Sequence, residues 1–131
     1  MPTIERWFVM PLLTTYLVGI MYHEPEPFVL WNAGVIDDYE SSTAVFIDAP
    51  SRDEAIAWGE AIGEAALRKL NSDDGLDWKS FGYFAWVEDS VETSGWSHAT
   101  SFFQHVKVGE MPDLSKFSAD AYKEWAARSG A

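Results

Sequence analysis

From Thr43 the chain reads TAVFIDAPSRDEAIAWGEAIGEAALRKL, and the period of its apolar positions changes partway through. Thr43 to Asp48 is β-branched and aromatic, which predicts a strand packed on at least one face. Pro50 has no N–H to give to a ladder and ends it. Ser51 follows as an N-cap with Glu54 three residues on, a pair able to satisfy two orphan N–H groups of a first helical turn. Beyond it Ala55, Ile56, Gly59, Ile62, Gly63, Ala66, Leu67 and Leu70 recur at helical spacing, with Asp53, Glu60, Glu64 and Arg68 on the other side. One amphipathic helix over residues 51–70 is expected. Its small residues Ala55, Gly59 and Gly63, spaced four apart, predict a close approach to a sheet or to a second copy's helix.

The rest of the chain is read against that unit. Within Trp7–Tyr22, Tyr16, Val18, Ile20 and Tyr22 alternate with Leu17, Gly19 and Met21, as a strand bent at Pro11, or two short strands, requires. His23 to Pro27 is a polar, proline-punctuated connection, Phe28 to Ile36 a second strand, and Asp37 to Ser42 an acidic turn. After the helix, Asn71 to Gly75 turns the chain. Phe81 to Val87 is apolar on both faces and is expected to be a central strand. Glu88 to Ser97 is a polar loop, and Ser101 to Val108 alternates as a last strand. Ser118 caps a short final helix, with Phe117 and Tyr122 spaced as a hydrophobic staple. No repeat or linker interrupts residues 1–131, so one α+β domain is expected. Its architecture is a mainly antiparallel sheet of four to six strands with the long helix (about 51–70) and a short C-terminal helix packed on it.

Composition changes the picture in two places. Aromatic residues make up 15%, with seven Trp, more large-ring surface than a small domain readily hides. A homodimer interface or an aromatic-lined cleft is therefore expected. The formal charge of −12 argues against phosphate-backbone binding, so no nucleic-acid partner is expected; it leaves open a basic protein partner met by electrostatic steering, beside ordinary solubility. The chain has no cysteine, which excludes disulfide and thiolate chemistry. The apolar stretch Trp7–Tyr22 is interrupted by Pro11, Thr14, Thr15 and Gly19, short of the ~18 uninterrupted residues of a spanning helix. With Glu5 beside Arg6 and no small-x-small cleavage site, neither membrane insertion nor export is expected, and the localisation read is cytoplasmic.

No motif names a reaction. Walker A, G-x-S-x-G, S-x-x-K, G-x-G-x-x-G and H-E-x-x-H are all missing. Asp73, Asp74 and Asp77 do not fit a calcium loop, because Gly75 falls at position five when Asn71 is position one. No metal and no cofactor are expected. His23 adjoins Glu24, and His98 and His105 lie seven apart, on opposite faces of any continuous strand. An enzyme alternative would use a His/carboxylate acid–base pair drawn from His98, His105 and Asp37. Among the aromatic residues Trp31, Trp58, Tyr83, Trp86 and Trp96 spread over strand, helix and loop, with Tyr83 on the opposite strand face from Trp86. The ligand-binding candidates are Trp58, Trp86, Trp96, His98 and His105.

The element order of three strands, helix and strand over Tyr16–Val87, with DAPSRDEAIAWGEAI entering the helix, resembles the antitoxin half of HicA–HicB pairs. The segment before the strand departs from that pattern and no C-terminal DNA-binding module follows, so the resemblance assigns no residue a role. The function expected from the residues is a small acidic non-enzymatic binding protein, homodimeric, taking a small apolar ligand or a basic partner protein.

Overall fold

The computed structural model describes residues 12–23, 33–34, 40–81, 83–93, 96–117 and 119–129. It is an α+β arrangement: β1 (Thr14–His23), β2 (Glu40–Ala49), α1 (Arg52–Leu70), β3 (Ala85–Val87), β4 (His105–Lys107) and α2 (Ala119–Ser129). The described strands form one mixed sheet in the order β3-β1-β2-β4, antiparallel at β1–β2 and β1–β3 and parallel at β2–β4. Among the described residues no helix is long and apolar enough to cross a membrane.

The alternation along β1 and β2 assigns the two faces. Val18, Ile20, Val45 and Ile47 are fully buried and meet Ala55, Ile62, Ala66 and Leu67 of α1. Burying each of these large aliphatic side chains contributes about 1.5–3 kcal/mol. A Cβ on Gly59 would stand 2.6 Å from the Val18 methyl, so the helix touches β1 where a side chain is missing. Gly63, one turn on, makes room for a different neighbour. Trp78, in the 3-10 turn Trp78–Phe81, lays its indole there, and a Cβ on Gly63 would come within 2.7 Å of a ring carbon. The ring is 1% exposed, and its Nε1–H donates to the Met21 carbonyl at 2.8 Å, which satisfies the polar end of a buried indole. Tyr22 Oη donates to the Phe117 carbonyl and ties the chain before α2 to the same core.

The ends of α1 follow local chemistry. Ser51 is the N-cap, and its Oγ accepts from the Glu54 N–H at 3.2 Å, although the return bond of a full capping box is not made. Asn71 closes the other end: its backbone N–H and its side-chain Nδ2 both donate to the Leu67 carbonyl. Ser72 then turns the chain at φ 52°.

Several expected boundaries move. Glu40, Ser41 and Ser42, expected in an acidic turn, instead extend the β2 ladder opposite His23, Tyr22 and Met21, since backbone pairing does not depend on apolar side chains. Phe81–Val87 shortens to β3, which lies at an edge rather than in the centre. Apolarity on both faces reports what covers the faces and says nothing about how many edges are paired. Of the expected strand Phe28–Ile36 only Ala33 and Gly34 are described, as a turn with Gly34 at φ 78°; the rest lies outside the described residues. Ser101–Val108 reduces to β4, and β4 is parallel to β2. Phe117 joins the main core while Tyr122 packs on Phe102, so the expected staple partners go separate ways. Pro11, Trp31, Asp37 and the Ser118 cap lie outside the described residues.

The Gly63–Trp78 contact generates a stability prediction. Gly63→Leu must push the indole out of a packed site, and overpacking of this kind costs about 1–3 kcal/mol or more. The urea midpoint should fall accordingly, with Gly63→Ala falling less. A wild-type midpoint in the leucine variant would mean that Trp78 is not held where the helix backbone comes closest.

Candidate functional site

The second face of the sheet is built from the other half of the alternation: Thr15, Leu17, Gly19 and Met21 of β1, with Ala44, Phe46 and Asp48 of β2. Gly19 is its centre. Trp86 is its partner across the β1–β3 ladder, and a Cβ on Gly19 would stand 2.4 Å from the Trp86 ring and 2.8 Å from that of Trp96. Two indoles therefore lie over one bare position of the strand. They stack with centroids 5.6 Å apart and planes 25° from parallel.

From this pair a row of rings continues in both directions. Phe84, two residues before Trp86 and on the same side of the chain, packs against it at 5.3 Å. On the other flank Trp96 meets Phe103 at 5.7 Å, and Phe103 meets both Phe102 at 6.0 Å and Phe46 of β2 at 6.5 Å. Phe102 receives Tyr122 and Trp125 of α2, each at 5.5 Å. These separations are those of offset and edge-to-face pairs, which add about 0.5–1.5 kcal/mol beyond area burial. Trp86, Trp96, Phe102 and Phe103 are half-buried, and Phe84 is 53% exposed.

A polar group borders the row. Asp48 Oδ1 accepts from Thr15 Oγ1 at 2.5 Å and lies 2.7 Å from His105 Nε2, so β1, β2 and β4 meet at one oxygen. The Thr15 hydrogen bond first, and then the His105 hydrogen bond, hold the Asp48 carboxyl below the usual carboxylate range. The His105 ring also packs against Phe46 at 6.0 Å. A concavity of about 520 Å3, lined by Asp89, Ser90, Val91 and Glu92, opens on the segment that follows β3. Arg52 at the start of α1 makes two bonds to Asp89, at 2.6 and 2.9 Å, which holds that carboxyl below its ordinary range too.

The expected site residues thus separate. Trp86 and Trp96 come together at the centre of the ring row. Trp58 is on α1, across the sheet from them, where it packs on the main core and donates its Nε1–H to the Glu110 carbonyl at 2.8 Å. Tyr83 is buried in that core, on the opposite side from Trp86. His98 is exposed on the 3-10 turn Ser97–Ala99, 3.0 Å from Tyr122 Oη, while His105 is exposed on β4. They occupy different elements and take different partners, so the opposite-face argument for one continuous strand does not apply. The expected Asp37 partner lies outside the described residues; the carboxylate that His105 meets is Asp48. Among the described residues no three His, Asp or Glu side chains are grouped to hold a metal ion.

Phe84, Phe102 and Phe103 are the members of the row that the sequence reading did not single out. The i, i+2 spacing of Phe84 and Trp86 was an available signal, since it places both rings on one side of a strand. Comparison of the chain with family models, with curated proteins and with solved structures found no match.

The Asp48 group yields a pH prediction. A carboxyl depressed in the folded state contributes stability that is present above its unfolded value and is lost as pH falls through the folded value. Thr15→Val removes the larger cause and should raise the Asp48 value toward 3.8, so that the acid loss begins at higher pH. A carboxyl-carbon NMR titration reads this directly. An unchanged Asp48 value would show that the Thr15 bond does not stabilise the ionised form.

Proposed function

We propose that this protein is a non-enzymatic binding module that recognises a basic partner protein through the ring row centred on Trp86 and Trp96. The observation that carries the reading is that row itself: contiguous half-buried rings on the sheet face away from α1, ending in an exposed Phe84. Aromatic faces presented this way suit apolar groups and also guanidinium and ammonium groups, by stacking and cation–π attraction. A chain of net charge −12 favours the cationic choice and speeds encounter with it. A small apolar ligand and self-association into a homodimer are the competing uses of the same surface.

Titration with an arginine-rich peptide, followed by tryptophan fluorescence, tests the reading. Binding should weaken with salt and fall about 30-fold in Trp86→Ala, the loss of about 2 kcal/mol typical of an anchoring ring. Binding of an apolar dye with no response to the peptide would favour the small-ligand use. Sedimentation at twice the 14.7 kDa chain mass, abolished in Trp86→Ala, would favour the homodimer.

The His105–Asp48 contact supports a second, enzymatic reading, because a carboxylate orients an imidazole for proton transfer at its other nitrogen. Under it, turnover found in a substrate screen disappears in His105→Gln and survives Trp86→Ala. Turnover that survives His105→Gln removes this reading.

A further inference from the structure

We infer that the edge of β3 left unpaired among the described residues takes an extended basic segment of the partner by strand addition, so that the ring row and the sheet edge act as one site. The inference rests on the binding reading above and specifies its mode. In the β1–β3 ladder the Met21 N–H donates to the Phe84 carbonyl, and the Glu88 N–H donates to the Leu17 carbonyl. Residues 84, 86 and 88 therefore turn their backbone groups toward β1, and the alternation turns the N–H and C=O of Ala85 and Val87 outward. β3 is the end of the sheet, and among the described residues no strand pairs with that side.

Edges are normally protected by charge, proline or a bulge. The β4 edge follows this rule, with His105 and Lys107 on a three-residue strand. β3 is just as short, at three residues, but its sequence is Ala-Trp-Val, without a charge or a proline. Strand addition uses such an edge for main-chain hydrogen bonds and takes specificity from alternate side chains. Here the alternate side chains of an added strand would fall beside Phe84 and Trp86 on one face and toward the α1 side on the other.

Charge selects the occupant. Glu88, Asp89 and Glu92 follow on β3, and Asp89 and Glu92 line the adjoining concavity; Arg52 pairs with Asp89 alone. A segment alternating cationic and β-branched residues complements this end of the sheet and lays its cations on the indoles. A second copy of this chain would instead bring another net charge of −12 to the same edge.

The test uses the full chain and two synthetic probes: a short peptide of alternating arginine and valine, and the same peptide N-methylated at every backbone amide. Both have the same charge and side chains, but only the first can pair along its whole edge. The unmethylated peptide should bind at least about tenfold more tightly, the equivalent of one or two lost hydrogen bonds. Its binding should also slow amide exchange at Ala85 and Val87, read by NMR. Equal affinity of the two probes, with the Ala85 and Val87 amides unprotected, would overturn strand addition and leave the binding reading standing. Failure of both peptides to bind would overturn both readings. Amides of Ala85 and Val87 already protected in a dimer without peptide would show that a second copy holds the edge, and would overturn the inference as well.

Discussion

A slip of one residue in the pairing of β1 with β2 would put Val18 and Ile20 on the opposite face from Val45 and Ile47, and with β2 kept against α1 it would bring Gly19 under the helix. The indoles of Trp86 and Trp96 would then meet aliphatic side chains instead of a bare backbone position. Both layers of the molecule depend on this one register. It runs through ten residue pairs, Thr14 with Ala49 to His23 with Glu40, and each strand contributes alternate residues to two differently covered faces. The helical layer is held by aliphatic contact and by Trp78 wedged at Gly63. The aromatic layer is held by rings stacked across Gly19. Few positions in the sheet could exchange layers, because one face needs branched side chains and the other needs a gap.

Much of the helical layer was legible from the chain. The β-branched run, Pro50, Ser51 and the helical spacing from Ala55 to Leu70 are local signals, and β2 and α1 occur where those signals fall. The parts that were not legible depend on distant partners. Nothing near Phe81–Val87 distinguishes a central strand from an edge strand whose second face is covered by a loop tryptophan 10 positions after Trp86. The parallel pairing of β4 with β2 is equally invisible, since it joins segments far apart in the chain, Phe46 with His105 and Asp48 with Lys107. In the site, Trp86 and Trp96 were recognisable as rings at the margin of buried segments. Trp58 has the same marginal character on α1 but lies across the sheet, and one-dimensional spacing does not tell the two sides of a sheet apart.

Asp48 shows how one position can serve two purposes. As a member of β2 it belongs to the same face as Phe46, yet it ends that face in a carboxylate shared by Thr15 and His105. The sharing links three strands at the margin of the sheet nearest β4, where the ladder is only three residues long. Among the described residues the other margin has no such tie. There the Arg52–Asp89 pair connects the start of α1 to the segment following β3, and both side chains are at least half exposed, so the pair is worth little to stability at physiological salt.

The order of elements in the chain has a consequence for biogenesis. β1, β2 and α1 are complete by Leu70, whereas both flanking strands come from residues 85–107. During synthesis from the N-terminus, the long ladder and its helix can form before either flank exists. Val18 pairs with Val87 and Ile47 with Val106, contacts that close long loops and are slow to form for that reason. For that interval the nascent chain presents two unpaired sheet margins, with the strip around Gly19 still bare of its tryptophans. That strip and those margins are where a chaperone would be expected to engage the growing chain, and where crowded nascent chains would be expected to stick to one another.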